Sequence, residues 1–260
     1  MKLTQEINKV IEWIAEYFNK SEVSKKAIIG ISGGIDSAVI ANLCVNAIGR
    51  TNVIGAILPC DSQLEDKLDA IKICDHLEIP HVIADLEQTF LTWWLMYRNE
   101  IGWPCQEAED MGPINRLIPA NTKARLRMIT LYAIAGQANG LVIGTTNKTE
   151  AKLGYATKYG DGGVDIEPIM DFYKTEIFEM AKILKIPCDI IDKAPSAGLW
   201  AGQTDEKELG MTYDQIDTYL KFRKGIINPD KTMKRIHMEI IDDLISANKH
   251  KNINLPYYKR

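Results

Sequence analysis

Ala27-Ile28-Ile29-Gly30-Ile31, then Ser32-Gly33-Gly34-Ile35-Asp36-Ser37, then Ala38-Val39-Ile40-Ala41-Asn42-Leu43: an apolar run, a glycine-bearing turn and a second apolar segment follow without interruption. The first run has the length of a strand, and the segment after the turn predicts a helix. Glycines let the backbone turn sharply and approach a ligand closely. The first N–H groups of a helix lack intrahelical partners, so such a turn is a ready anion site. Ser32 and Ser37 add hydroxyl donors. Asp36 is the informative residue, because a carboxylate here repels phosphate unless a cation lies between them. Mg²⁺ takes carboxylate and phosphate oxygens together. No Gly-Lys-Ser/Thr follows the turn, and its glycines do not fit the dinucleotide G-x-G-x-x-G spacing. Read alone, the same residues also suit a plain strand-to-helix turn, with Asp36 answering the helix dipole.

Further strands are predicted at Asn52–Leu58, His81–Ala84 and Leu141–Gly144, with helices over Ser62–Leu77 and Thr122–Asn139 between them. Short apolar strands alternating with helices predict an α/β fold, a doubly wound, mostly parallel sheet with helices on both faces. Residues 3 to 18 place Leu3, Ile7, Val10, Ile11, Ile14 and Phe18 on one helical stripe, which must pack on the domain or on a second subunit. From Tyr97 to Pro119, three prolines and two glycines predict a long loop. The C-terminal third, from Asp205 on, is helical in pattern. No repeat or linker divides the chain, so 1–260 reads as a single domain.

A net charge of −4 over 260 residues argues against a general nucleic-acid binder, which needs clustered Lys and Arg. No stretch approaches the roughly 20 apolar residues of a membrane span. Met1 to Glu6 carries an early acid and no apolar signal core, so it reads as mature sequence. Cys44, Cys60, Cys74, Cys105 and Cys188 are odd in number, with no C-x-x-C spacing. Neither a zinc site nor a disulfide scaffold fits; buried free thiols in a reducing cytoplasm do. His76, His81 and His237 have no ligand spacing.

The S-G-G-x-D-S turn after an apolar strand resembles the pyrophosphate-binding loop of the N-type ATP pyrophosphatases, which adenylate a substrate oxygen and expel pyrophosphate. Within that superfamily, four blocks resemble the NAD synthetase family: Gly144-Thr145-Thr146-Asn147-Lys148-Thr149-Glu150, Gly154-Tyr155-Ala156-Thr157-Lys158-Tyr159-Gly160-Asp161-Gly162, Pro195-Ser196-Ala197-Gly198-Leu199-Trp200 and Gly202-Gln203-Thr204-Asp205-Glu206. Upstream, Asn121 to Met128 resembles the family's arginine-bearing helix. The likeness spans nearly the whole chain and is weakest between Tyr97 and Pro119.

The resemblance implies an adenine nucleotide alpha hydrolase-like, Rossmann-type fold and a cytoplasmic ligase acting last in NAD biosynthesis. It implies an ATP site made of Gly30, Ile31, Ser32, Gly33, Gly34, Ile35, Asp36, Ser37, Thr145, Lys174 and Ser196, with Mg²⁺ on Asp36 and Glu150. Arg125, Lys158, Asp165, His250 and Lys251 are implied for deamido-NAD, and Asp36, Lys174 and Asp165 for catalysis. Asn252 stands where the family usually has an arginine, a departure in the tail. Arg125 and Arg127, two apart on a helix, point about 200° apart; the alignment gives the substrate to Arg125, leaving Arg127 to pair with an acid elsewhere. A cation at the helix start of Lys174 runs against the dipole, which favours a functional role.

Glutamine-dependent members carry an additional amidase domain, for which 260 residues leave no room, so free ammonia is the implied nitrogen donor. The family also implies a homodimer with substrate sites at the subunit boundary. Two other readings stay open: a tRNA-thiolating ATP pyrophosphatase, which calls for a basic face and paired cysteines, and a nucleotide sensor without catalysis, for which Asp36, Glu150 and Lys174 would be superfluous.

Overall fold

The computed structural model describes residues 2–21, 25–100, 113–196, 204–227, 235–251 and 255–260. Strands β1 (Lys26–Gly30), β2 (Val53–Ile57), β3 (His81–Ile83) and β4 (Gly140–Ile143) form one parallel sheet in the order β3-β2-β1-β4. Ile29 of central β1 lies opposite Gly55 of β2 and Ile143 of β4. Beyond β4 the sheet continues through single parallel bridges, Ile143 to Ile166 and Glu167 to Tyr257.

The helices are α1 (Lys2–Lys20), α2 (Ile35–Ile48), α3 (Leu64–Leu77), α4 (Glu87–Glu100), α5 (Pro113–Ala138), α6 (Lys148–Leu153), α7 (Lys174–Ile183), α8 (Cys188–Ile191), α9 (Asp205–Leu209), α10 (Tyr213–Arg223) and α11 (Arg235–Ala247). On one face, Ala27, Ile29 and Ile31 join a core with α1, α2, α3 and α7. On the other, Ile28 meets Ala135 of α5 with Val142 and Val164. Successive side chains of a strand point to opposite faces, so a strand covered on both sides must be apolar at each position. Ile28 and Ile29 are wholly buried, each such side chain contributing about 1.5–3 kcal/mol. The doubly wound α/β fold follows from that run.

The stripe of α1 buries Ile7, Val10, Ile14 and Phe18 in this same core, against α2. Its partner is therefore the domain itself and not a second subunit. The long loop expected over 97–119 is corrected: Tyr97 to Glu100 close α4, and Pro113 to Pro119 open the 26-residue α5. Proline is well placed at a first helical position, and the packing of α5 on β1 and β4 carries the helix past Pro119. Residues 101–112 of that expected loop lie outside the described residues. The helical C-terminal reading matches α9, α10 and α11, which share a second core of Leu153, Leu209, Ile216 and Ile241. Cys44, Cys60 and Cys74 are buried free thiols, but Cys188 is exposed, and Cys105 lies outside the described residues.

Candidate active site

From β1 the chain runs to β2 and β3 on one side, while β4 lies on the other, so the sheet's switch point falls between β1 and β4. Ligands of open α/β sheets collect there, beyond the carboxyl ends of the strands. A cavity of about 640 Å³ occupies that position. Gly30, Ile31, Ser32, Gly34, Ile35, Asp36 and Ser37 line it after β1, and Thr145 lines it after β4.

Gly34 starts α2 with no side-chain cap, so the helix presents unpaired first-turn N–H groups to the cavity. The turn holds itself: the Ser37 hydroxyl donates to Gly34 O at 2.9 Å, and Gly34 N donates to Ser32 Oγ at 3.3 Å. Gly33 does not line the cavity. It has φ +80°, and a Cβ there would stand 2.5 Å from the Asp66 carbonyl oxygen of α3, so the turn requires glycine.

Three elements converge beside the turn. Lys174 Nζ, on the first residue of α7, bonds Asp36 Oδ2 of α2 at 2.5 Å and Glu150 Oε1 of α6 at 3.2 Å. The Lys174 side chain is 3% exposed and the two carboxylates 17% each, so the ammonium is walled in while the acids reach the cavity. Burial alone would depress the lysine, but Asp36 and Glu150 hold it above its ordinary value. Burial pushes Glu150 up to about 8 against the pull of Lys174.

Asn147 is a residue that sequence reasoning missed. Its Nδ2 donates to Asp36 Oδ1 at 3.0 Å, its Oδ1 accepts from Glu150 N at 3.0 Å, and Glu150 Oε2 accepts from Asn147 N at 3.2 Å. This is a reciprocal capping box, and its Asn-x-x-Glu spacing was readable. Asp205 and Tyr213 were missed as well. Buried Asp205 accepts from the Tyr213 hydroxyl at 2.7 Å, and Lys174 Nζ lies 5.1 Å from the Tyr213 ring centre. They come from α9 and α10, and no local pattern joins them to Lys174. Below the lysine, buried Asp217 accepts from the Thr149 hydroxyl and from Thr175 N, and Thr149 Oγ1 accepts from Lys174 N at 3.0 Å.

Asp36 and Glu150 bond one ammonium and buried Asp205 stands near it, an excess of acid over base that suits a divalent cation. Among the described residues no group of three or more Asp, Glu, His or Cys side chains is placed to hold a metal ion by itself. Mg²⁺ needs none, since it keeps waters and substrate phosphates in its shell. The donor set fits the ion.

Ser196 and Lys251 also line the cavity. Lys251 Nζ donates to Gly154 O at 3.0 Å; burial holds it below its ordinary value, against the pull of Asp161 and Glu208. His250 is exposed and does not line the cavity, its Nδ1 standing 3.0 Å from Ala247 O. Arg125 is exposed and donates to Lys158 O through Nε and Nη2 at 3.3 and 3.2 Å. Lys158 Nζ stands 5.2 Å from the Tyr159 ring centre. Asp165 is tied to the sheet edge, accepting from Val142 N at 2.8 Å and from the Tyr132 hydroxyl at 3.1 Å. Arg125, Lys158, Asp165 and His250 are therefore not brought to this cavity. Arg127 is: it lines the cavity and donates to Leu58 O at 3.1 Å and Ser62 Oγ at 3.1 Å. The acid partner expected for Arg127 is replaced by carbonyl and hydroxyl oxygens of the loop after β2.

A family model described as NAD synthase matches residues 6–254. An NH(3)-dependent NAD(+) synthetase of Alkaliphilus metalliredigens (strain QYMF) is 39% identical over 256 residues, 98% of each chain. Among solved structures, NMN synthetase from Francisella tularensis superposes with a TM-score of 0.82 at 35% identity over 98% of each chain. An NH3-dependent NAD synthetase from Campylobacter jejuni, in complex with the nitrate ion, gives 0.77 at 26% identity over 100% of each. Relatives, solved folds and the geometry of the β1 turn agree over almost the full length, and the chain belongs to the NAD synthase family.

Proposed function

We propose that the cavity amidates the nicotinate carboxylate of deamido-NAD with ammonia at the expense of ATP, yielding NAD, AMP and pyrophosphate. The observation that carries this reading is the Asp36–Lys174–Glu150 chain at the mouth of an uncapped helix. The first-turn N–H groups of α2 receive phosphate oxygens, and the Ser32 and Ser37 hydroxyls complete the cradle. Mg²⁺, held by Asp36 and Glu150, would supply charge neutralisation on the triphosphate when bound. In the first step, a carboxylate oxygen of the substrate forms a bond to the α-phosphorus while the bond to pyrophosphate breaks. Lys174 stays charged throughout, so it acts electrostatically and transfers no proton. Ammonia then attacks the carbonyl carbon of the mixed anhydride; the C–N bond forms, AMP leaves and one proton passes to solvent. No side-chain nucleophile takes part, and much of the rate comes from holding two mutually repelling anions together.

Lys251 and Ser196 lie within reach of the same ligands. Arg125, Lys158, Asp165 and His250 meet the remainder of the dinucleotide where a second copy of the chain closes the boundary. The homodimer draws support from exposed Leu91, Leu95 and Met96 on α4 and Leu117 and Ile129 on α5, large apolar groups on two packed helices. Sedimentation at low concentration tests it, and a clean monomer refutes it. A cytoplasmic site of action accords with the free thiols, and a net charge of −4 with small-molecule substrates and not nucleic acid. No helix among the described residues is long and apolar enough to cross a membrane.

Incubation with ATP, Mg²⁺, ammonium and deamido-NAD is the test: AMP and NAD appear in equal amounts. Asp36→Ala abolishes turnover while its melting transition stays cooperative; normal turnover by that variant overturns the metal assignment. A second reading rests on the likeness to NMN synthetase from Francisella tularensis: the cavity would amidate nicotinate mononucleotide in place of deamido-NAD. The same assay with both acceptors decides, since the preferred one shows the higher kcat/KM.

A further inference from the structure

A second cavity, of about 480 Å³, lies on the other side of the Tyr173–Lys174 pair: Lys174 lines the front cavity and Tyr173 the rear one. The two share no lining residue. Six cations border the rear cavity, Lys148, Lys152, Lys221, Lys224, Lys259 and Arg260, against the carboxylates of Asp171 and Glu176. Both acids are already engaged. Lys148 pairs with Asp171 at 2.6 Å, and Arg260 grips Glu176 through both carboxylate oxygens at 2.7 Å. Among the described residues, no carboxylate lies within ion-pair distance of Lys152, Lys221, Lys224 or Lys259.

A chain of net charge −4 concentrates this positive excess in one concavity. Lysines of a solvated face splay apart, whereas these converge. Lys148 and Lys221 stand 4.7 and 4.9 Å from the Tyr173 ring centre. Burial, together with the Lys148 and Lys152 ammoniums, presses Lys224 below its ordinary value. Independently of charge, Tyr173 is 3% exposed and its hydroxyl is buried with no hydrogen-bond partner. Such a group is destabilising unless something bonds it.

We infer that the rear cavity binds a small phosphate-bearing anion of two or more negative charges. Converging ammoniums form charge-assisted bonds to phosphate oxygens, and the orphaned hydroxyl donates one more. The volume exceeds that of a single phosphate, which favours a diphosphate or a nucleotide's phosphate chain. This assignment does not depend on the reaction at the front cavity.

Calorimetric titration of the full chain with inorganic pyrophosphate in metal-free buffer tests it. Lys152→Ala/Lys224→Ala, at two positions that do not line the front cavity, binds one equivalent per chain fewer than wild type and keeps its melting temperature. Tyr173→Phe weakens that equivalent roughly tenfold. Lys259→Glu, at the exposed rim, weakens it several-fold at low salt and less at high salt. Companion titrations with ATP and AMP identify the source: a nucleotide that displaces pyrophosphate from this equivalent is the occupant, and otherwise the inorganic anion is. Equal equivalents in wild type and the double variant, or no binding by wild type, overturn the site.

Discussion

Glu167 offers a quantitative test of how the cavity wall is held. It is 1% exposed, and its Oε2 accepts from Thr146 N at 3.0 Å. Its carboxyl fills the space over Gly144, where a Cβ would stand 2.2 Å from Cδ, and so fixes the turn that carries Thr145 to the cavity. Burial pushes the carboxyl from 4.5 up to about 8, against the pull of the Thr146 bonds. The folded chain therefore keeps a proton over a pH range in which the unfolded chain has lost it. Stability from this group is fully present below 4.5 and is lost as pH rises through about 8. Within that window the slope is about 1.4 kcal/mol per pH unit, so roughly 2.5 kcal/mol disappears between about pH 5 and pH 7. Glu167→Gln keeps the shape and an acceptor for Thr146 N but cannot ionise. In urea unfolding, the variant gains about 2.5 kcal/mol on wild type across that interval, while its turnover at neutral pH is retained. Parallel stability profiles for the two proteins would refute the reasoning.

Lys174→Met leaves Asp36 and Glu150 without their ammonium partner and lowers stability by about 3–5 kcal/mol; adding Glu150→Gln restores part of it, turnover is absent from both variants, and melting with AMP release checks each arm. Gly33→Ala combines a left-handed backbone, costing about 1–2 kcal/mol, with the clash on the Asp66 carbonyl. It lowers the melting temperature and weakens ATP binding by calorimetry. Arg127→Lys loses the fork that spans Leu58 O and Ser62 Oγ, at about 1.5–3 kcal/mol for bonds to a charged group. Arg125→Lys, on an exposed residue, changes the melting stability by less than about 0.5 kcal/mol, and equal losses for the two would refute the distinction.

What the sequence made legible were features enforced locally. Ala27 to Gly33 announces a strand buried on both faces and a turn closed by glycine. The stripe of α1 announces a helix with one dry side, though not which surface dries it; only the fold shows Ile14 and Phe18 against α2. Prolines misled the reading of 97–119 because a proline's local cost is readable, whereas the packing of Leu131, Ile134 and Ala135 that outweighs it is tertiary. In the site, Asp36 was visible from its turn and Glu150 through the family resemblance. Asp205, Tyr213 and Asp217 were not, because α9 and α10 reach Lys174 only through long-range packing. The place of Arg127 on the cavity wall was not legible for a related reason. Helical geometry separates it from Arg125, but which face meets the cavity depends on how α5 lies across β1 and β4.

Two opposed electrostatic features meet in the front cavity, and their combination narrows the ligand. The unpaired N–H groups at the start of α2 attract an anion. Asp36, Glu150 and Asp205, with one lysine among them, repel it. An anion alone satisfies the helix and meets the carboxylates; a cation alone does the reverse. A phosphate chain arriving with its own divalent ion would satisfy both, with the first-turn N–H groups of α2 to hold the phosphate and the carboxylates to hold the ion. Lys174 fits this arrangement because its buried ammonium holds the acids together beforehand, and Asp217, through Thr149, fixes where the lysine's helix begins. The site is thus built around a pair of charges, and neither one separately accounts for it.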